Sequence, residues 1–152
     1  CDIIWHFIGP IQSNKTKSIA ENFSWVHSVD RLKIARRLSA QRPEHLPPLN
    51  ICVQINISHE EQKSGFSTAE IEASIEEISQ LEHLSLRGLM AIPKPTDDPE
   101  QQKAAFRHLK KLMQQLNTQF ELAMDTLSMG MSNDLEAAIS EGATIIRIGT
   151  AL

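Results

Sequence analysis

Short apolar runs alternate along this chain with longer segments in which apolar residues recur every three or four positions. The runs suit strands at Ile3 to Ile8, Trp25 to Val29, Ile51 to Ile57, Leu86 to Ile92, Thr126 to Met129 and Ile145 to Ile148. Each but the last is followed by a segment of helical period. After Asp30, the expected N-cap, Leu32, Ala35 and Leu38 share a face, and Pro43, Pro47 and Pro48 stop that helix. Ser67 and Glu70 have capping-box spacing ahead of the stripe Ile71, Ile75, Ile78 and Leu81. Asp98, Pro99 and Gln101 supply a cap, an N1 proline and a box residue for a helix that buries Phe106, Leu109, Met113, Leu116 and Phe120. Ser132 and Asn133 open a last helix, with Glu136 completing a box and Gly142 ending it.

Strands that alternate with helices predict an α/β protein built on a parallel sheet, with residues 1–152 forming one domain. In such folds chemistry gathers at the carboxyl ends of the strands, which here means near Asn14, Asp30, Asn56, Ile92, Ser132 and Thr150. Within ICVQINI, Ile51, Val53, Ile55 and Ile57 share one face, while Cys52, Gln54 and Asn56 share the other. In a barrel that second face points inward, where Gln54 and Asn56 need partners. Either an internal structural network or, for Asn56, a site-lining role meets that need. Arg147 poses the same question inside the apolar TIIRIGTA, since a buried guanidinium must find an acceptor, whether a carboxylate or a ligand. Gly149 and Thr150 follow it with the parts of an anion site: free backbone approach, N–H groups and a hydroxyl. His6 alternates with Ile4 and Ile8 and faces inward, as a core hydrogen-bonding group or an acid–base group.

Composition narrows the partners. With 152 residues, 41% hydrophobic, the chain can bury a core, and its net charge of −4 is spread among interspersed signs. This disfavours nucleic acid and acidic membrane surfaces. Cys1 and Cys52 form no CxxC pair and no apolar run is long enough to span a bilayer, so a cytoplasmic setting is expected. The histidines lack zinc spacing, so no metal is expected. GxGxxG, Walker A and GxSxG motifs are also lacking, and the sequence contains no Tyr.

Four segments taken together resemble one family. WHFIGPIQSNK (5–15), INIS followed by KSGF (55–58 and 63–66), LRGLMAIP (86–93) and LSMGMSNDLEAAISEGATIIRIGTA (127–151) are similar to the YggS/PROSC family of pyridoxal phosphate homeostasis proteins. The resemblance implies a TIM-like (β/α)8 barrel of the fold-type III PLP class, like the barrel domain of alanine racemase, with about six of eight βα units here. It implies a protein that binds pyridoxal 5'-phosphate and serves vitamin B6 and amino-acid balance without robust catalysis. The alternative is a fold-type III enzyme such as an amino-acid racemase. Carried over, Ser132 with Met131 beside it, Gly149 and Thr150 would hold the cofactor phosphate, a cup that free phosphate or sulfate could also fill. Arg147 would face the pyridine nitrogen, Asn14 and Asn56 would border the ring, and Met90 and Ile92 are candidates to pack on it. The family's Schiff-base lysine lies upstream of WHFIG. None of the eight lysines here matches its motif, so no catalytic residue is assigned and no covalent attachment is expected in this chain. A monomer is expected for the native protein.

Overall fold

The structure is a computed structural model that describes residues 2–61, 64–150 and 152. Cys1, Lys63 and Ala151, which belong to sequence features noted above, lie outside the described residues. Five parallel strands, β1 (His6–Phe7), β2 (Trp25–Val29), β3 (Leu49–Gln54), β4 (Leu84–Met90) and β5 (Thr126–Ser128), form one sheet in the order β1-β2-β3-β4-β5. Between them run α1 (Thr16–Asn22), preceded by a 3-10 turn at Ser13–Lys15, then α2 (Leu32–Gln41), α3 (Thr68–Gln80) and α4 (Pro99–Phe120), with α5 (Leu135–Ser140) after β5.

The two faces of the sheet differ as the alternation predicts. Val26, Val29, Ile51, Val53, Leu89 and Leu127 pack into one hydrophobic core with Ile34 and Leu38 of α2, Ile71 and Ile75 of α3, and Phe106 and Leu109 of α4. These side chains are almost wholly buried, which stabilises by roughly 1.5 to 3 kcal/mol each. The opposite face carries Trp25, His27, Cys52, Gln54, Met90 and Ser128. This face is concave. In a flat sheet β2 and β5 would lie three spacings apart, about 14 Å. Yet His27 of β2 and Ser128 of β5 are joined by a 2.6 Å hydrogen bond, which two such side chains can make only when their Cα atoms lie within roughly 10 Å. The sheet therefore curls as part of a barrel does.

Helix signals were realised unevenly. The Ser67/Glu70 capping box is formed in both directions, and Asp98 caps α4 through the Glu100 N–H at 3.0 Å, with Pro99 opening the helix. Gln101 completes no box there, because its amide oxygen accepts from the Thr96 hydroxyl at 2.8 Å. Arg31, not Asp30, occupies the N-cap of α2, without a side-chain cap bond. Asp134 rather than Ser132 or Asn133 stands at the N-cap of α5, for a turn at 131–134 closes first through the Asp134 N–H to the Met131 carbonyl. Gly142 ends α5 as expected, at φ +101°.

The strands moved more. The first shrinks to two residues. Ile3 and Ile4, about two-thirds exposed, have no facing layer to pack on among the described residues. Ile55 ends the β3–β4 ladder, with its N–H on the Met90 carbonyl at 2.8 Å, and bridges Phe66. The sixth expected strand, Ile145 to Ile148, makes one bridge, Ser128 to Ile145. Beyond it, Gly130 at φ +104° turns the chain away from β5, so the next bond, Arg147 N–H to the Gly130 carbonyl, falls out of step. Among the described residues the sheet therefore has five strands.

Candidate functional site

The concave face holds a hydrogen-bonded chain that crosses the sheet. His6 Nδ1 lies 2.9 Å from His27 Nε2, and His27 Nδ1 lies 2.6 Å from Ser128 Oγ. Arg147 donates to the same Ser128 Oγ at 2.7 Å and to the Ala91 carbonyl at 3.1 Å. Arg147 thus finds its buried acceptors in a hydroxyl and a main-chain carbonyl rather than in a carboxylate. Burial lowers its pKa, opposed by the charge of Asp134. His6 faces inward as expected and stacks on the Trp25 ring at 5.3 Å between centroids.

His27 responds most strongly to this setting. Burial, then His6 and the Arg147 charge, push its pKa from 6.5 down to about 4. In that window the unfolded chain takes up a proton that the folded one refuses, so stability falls as pH drops from 6.5 towards 4. Above pH 6.5 this group contributes nothing. Urea midpoints measured across the window should reveal a loss on the order of 2 kcal/mol. In a His27→Leu protein that part of the slope should vanish.

Cys52, fully buried beneath this chain on β3, has its thiol pushed up to about 12 by burial. It is inert in the folded state.

Beside Arg147, the turn after β5 and the turn at Gly149 approach each other. The Gly149 N–H points to Ser132 Oγ at 3.4 Å, and no heavy atom lies within 4 Å of where a Gly149 Cβ would stand. Thr150 is exposed at the same turn. Met131 is exposed too, and its N–H donates to Asp134 Oδ1 at 2.7 Å. That bond engages the carboxylate that could otherwise repel an anion here. The helix behind Ser132 has only six residues, so an anion at this turn would meet local N–H and hydroxyl donors more than a helix end.

The remaining expected residues stand further out. Asn14 is exposed in the 3-10 turn after β1. Asn56 clasps its own loop, donating to the Glu60 carbonyl at 2.6 Å and accepting the Glu60 N–H at 3.3 Å, which meets the partner requirement locally. Met90 is fully buried, whereas Ile92 is 41% exposed. A cleft of about 690 Å³ reaches Ser132 from its outer side, but Asp97, Asp134 and Glu136 outweigh Lys103 in its lining, which disfavours phosphate. Sequence reasoning missed His27 and Ser128. The visible signals were a histidine alternating with Trp25 in WVHSV, opposite Val26, and one small polar residue between Leu127 and Met129.

Among the described residues no helix is long and apolar enough to cross a membrane, and no cluster of three metal-ligating side chains occurs.

Residues 3–152 match the alanine racemase N-terminal domain family. The sequence is 64% identical over 148 residues to the pyridoxal phosphate homeostasis protein of Pseudomonas aeruginosa, covering 97% of this chain and 63% of that one. It is 51% identical over 148 residues to the Escherichia coli K12 protein of the same name, again with 97% and 63% covered. The chain thus spans somewhat less than two-thirds of these relatives. PipY of Synechococcus elongatus PCC7942, solved with PLP bound, is 36% identical and superposes with a TM-score of 0.90 over 99% of this chain and 70% of its own. Alanine racemase of Clostridium difficile 630, at 14% identity and a TM-score of 0.78 over 99% of this chain and 39% of its own, shares the fold.

Proposed function

The chain belongs to the alanine racemase N-terminal domain family and to its YggS/PROSC branch, and on that premise we propose that it binds pyridoxal 5'-phosphate in vitamin B6 and amino-acid homeostasis, without robust catalysis of its own. The cofactor, when bound, supplies an electrophilic aldehyde and an electron-withdrawing pyridine ring. The observation that carries the reading is the meeting of two turns, Ser132 Oγ and Gly149 N–H at 3.4 Å, next to an inward-held Arg147. Phosphate oxygens are acceptors, and this cup offers them hydroxyls from Ser132 and Thr150, the Gly149 N–H and open space.

Arg147 has a separate task. A guanidinium is a permanent donor, so facing the pyridine nitrogen it would keep that nitrogen unprotonated and the ring a weak electron sink. This favours holding the cofactor over using it. Met131 would flank the cup, with Asn14 in the turn after β1 and Asn56 in the loop after β3 bordering the ring. The names of the relatives and the PLP bound to PipY support the reading.

The test is a PLP titration of the full-length protein followed by absorbance. Replacing Ser132 with alanine and Thr150 with valine together should weaken binding by about tenfold or more, two hydrogen bonds to a dianion being lost. Thermal stability should barely change. Borohydride reduction and peptide mapping should place no adduct on the eight lysines of this sequence. A full-length protein that shows no cofactor spectrum at saturating PLP would sink the idea.

A further inference from the structure

The hydrogen-bonded chain on the concave face has a direction, which follows from counting protons. Arg147 can only donate, so Ser128 Oγ accepts from it at 2.7 Å. Ser128 is fully buried, and its own O–H needs an acceptor. The atom in place is His27 Nδ1 at 2.6 Å. If Nδ1 accepts, the imidazole proton sits on Nε2 and is donated to His6 Nδ1 at 2.9 Å, which leaves the His6 proton on its Nε2. Every donor between Arg147 and His6 Nδ1 then has an acceptor, and the His6 Nε2–H stands at the half-buried end of the chain. The opposite direction fails at Ser128, whose oxygen would receive two N–H donors while its hydrogen pointed at no acceptor. A cationic His27 fails in the same way and would place a second positive charge at the oxygen that Arg147 uses.

We propose that His27 is a positioning residue for Arg147: as a neutral Nε2–H imidazole it accepts the Ser128 hydroxyl proton, and the oriented serine oxygen then fixes where the Arg147 guanidinium points. Three further facts agree. The Ala91 carbonyl takes a second Arg147 N–H, so the guanidinium is held at two points and its direction is set by both. Trp25 stacks on His6 and clamps the far end of the chain. The backbone of the Arg147 segment is pinned to the turn after β5 by its N–H on the Gly130 carbonyl at 2.9 Å, so the side chain is the adjustable part. The inference rests on the proposed function only in what it says about the cofactor ring. The tautomer and the restraint on Arg147 are properties of the protein alone.

The experiment has two arms. In the full-length protein without cofactor, ¹⁵N NMR of the histidine rings at neutral pH should show His27 with Nδ1 unprotonated and Nε2 protonated, and Arg147 side-chain N–H signals protected from exchange. His27→Leu should speed that exchange about fivefold, the effect of losing about 1 kcal/mol of hydrogen bonding. His27→Gln, whose amide oxygen can accept from Ser128 and whose NH₂ can donate to His6, should restore it. In the second arm, PLP added to the same proteins should bind about fivefold more weakly to His27→Leu with a shifted absorption band, and normally to His27→Gln. A protonated Nδ1 in the wild type would overturn the proposal, and so would a folded His27→Leu protein with unchanged Arg147 exchange. Wild-type protein that shows the expected tautomer and exchange but no PLP binding would refute the proposed function and leave the positioning role standing.

Discussion

Replacing Gly88 with alanine is expected to destabilise the protein by about 4 kcal/mol, at the upper end of what one added methyl group does. Gly88 lies in β4, paired with Cys52 of β3 and Thr126 of β5. A Cβ on this residue would sit inside the Thr126 carbonyl and 2.9 Å from the Thr126 Cα. These are backbone atoms of a buried strand, so no rotamer change relieves the clash and β5 itself must shift. The displacement would carry Ser128 with it and loosen the hold on Arg147. Urea denaturation should show a lowered midpoint with an unchanged slope. A cost under about 1 kcal/mol, within the range of ordinary surface changes, would mean that β5 is not pressed against β4 at this point.

Arg42→Met should cost about 3 kcal/mol, although methionine keeps an unbranched apolar stem in the same place. Arg42 is nearly buried at the end of α2 and donates to main-chain oxygens only: Ala20 at 2.8 Å, Phe23 at 2.7 Å, and Pro47 at 3.0 and 2.8 Å from two nitrogens. Ala20 belongs to the last turn of α1 and Phe23 follows it, so the guanidinium meets the negative end of a helix, which offsets part of its desolvation. Burial lowers its pKa while these carbonyls hold it charged. Methionine would leave all three oxygens without that donor. Lysine should recover only part of the loss, since an ammonium cannot reproduce the planar fork. Thermal melts of the wild type, Arg42→Met and Arg42→Lys decide this. Equal stability for Arg42→Met and wild type would show that water satisfies the carbonyls instead.

Much of this molecule could be read from the order of its residues, where the deciding interaction was local. The Ser67/Glu70 box and the Asp98-Pro99 start are contacts within a few residues, and both formed. The facing of β3 could be read as well, since alternation alone separates Ile51 and Val53 from Cys52 and Gln54. Strand ends were less legible because pairing is set by the neighbour. Ile55 looks like part of its strand until Phe66 arrives to bridge it. The site divided along the same line. Arg147 announced itself as a charge in an apolar segment, whereas its actual partner, Ser128, is bonded to a histidine 101 positions away. No local pattern can reveal such a contact, which exists because the sheet curls. The acidic residues around Ser132 illustrate the reverse case. Asp134 carries a charge unfavourable to an anion beside Ser132, and only the fold shows its carboxylate turned onto the Met131 N–H.

The strand order has a consequence for how the molecule is assembled. Because spatial order repeats chain order, each strand pairs with the one made just before it, and each helix packs beside its predecessor. No strand has to wait for a later one to be inserted between it and its neighbour. Growth can then proceed from one end by accretion, each βα unit docking on an edge already in place, in the direction in which a ribosome delivers the chain. The concave chain of side chains is the exception, since His27 is laid down 101 positions before the Ser128 that closes on it, with Arg147 later still. The hold on Arg147 is thus completed only when the curl is.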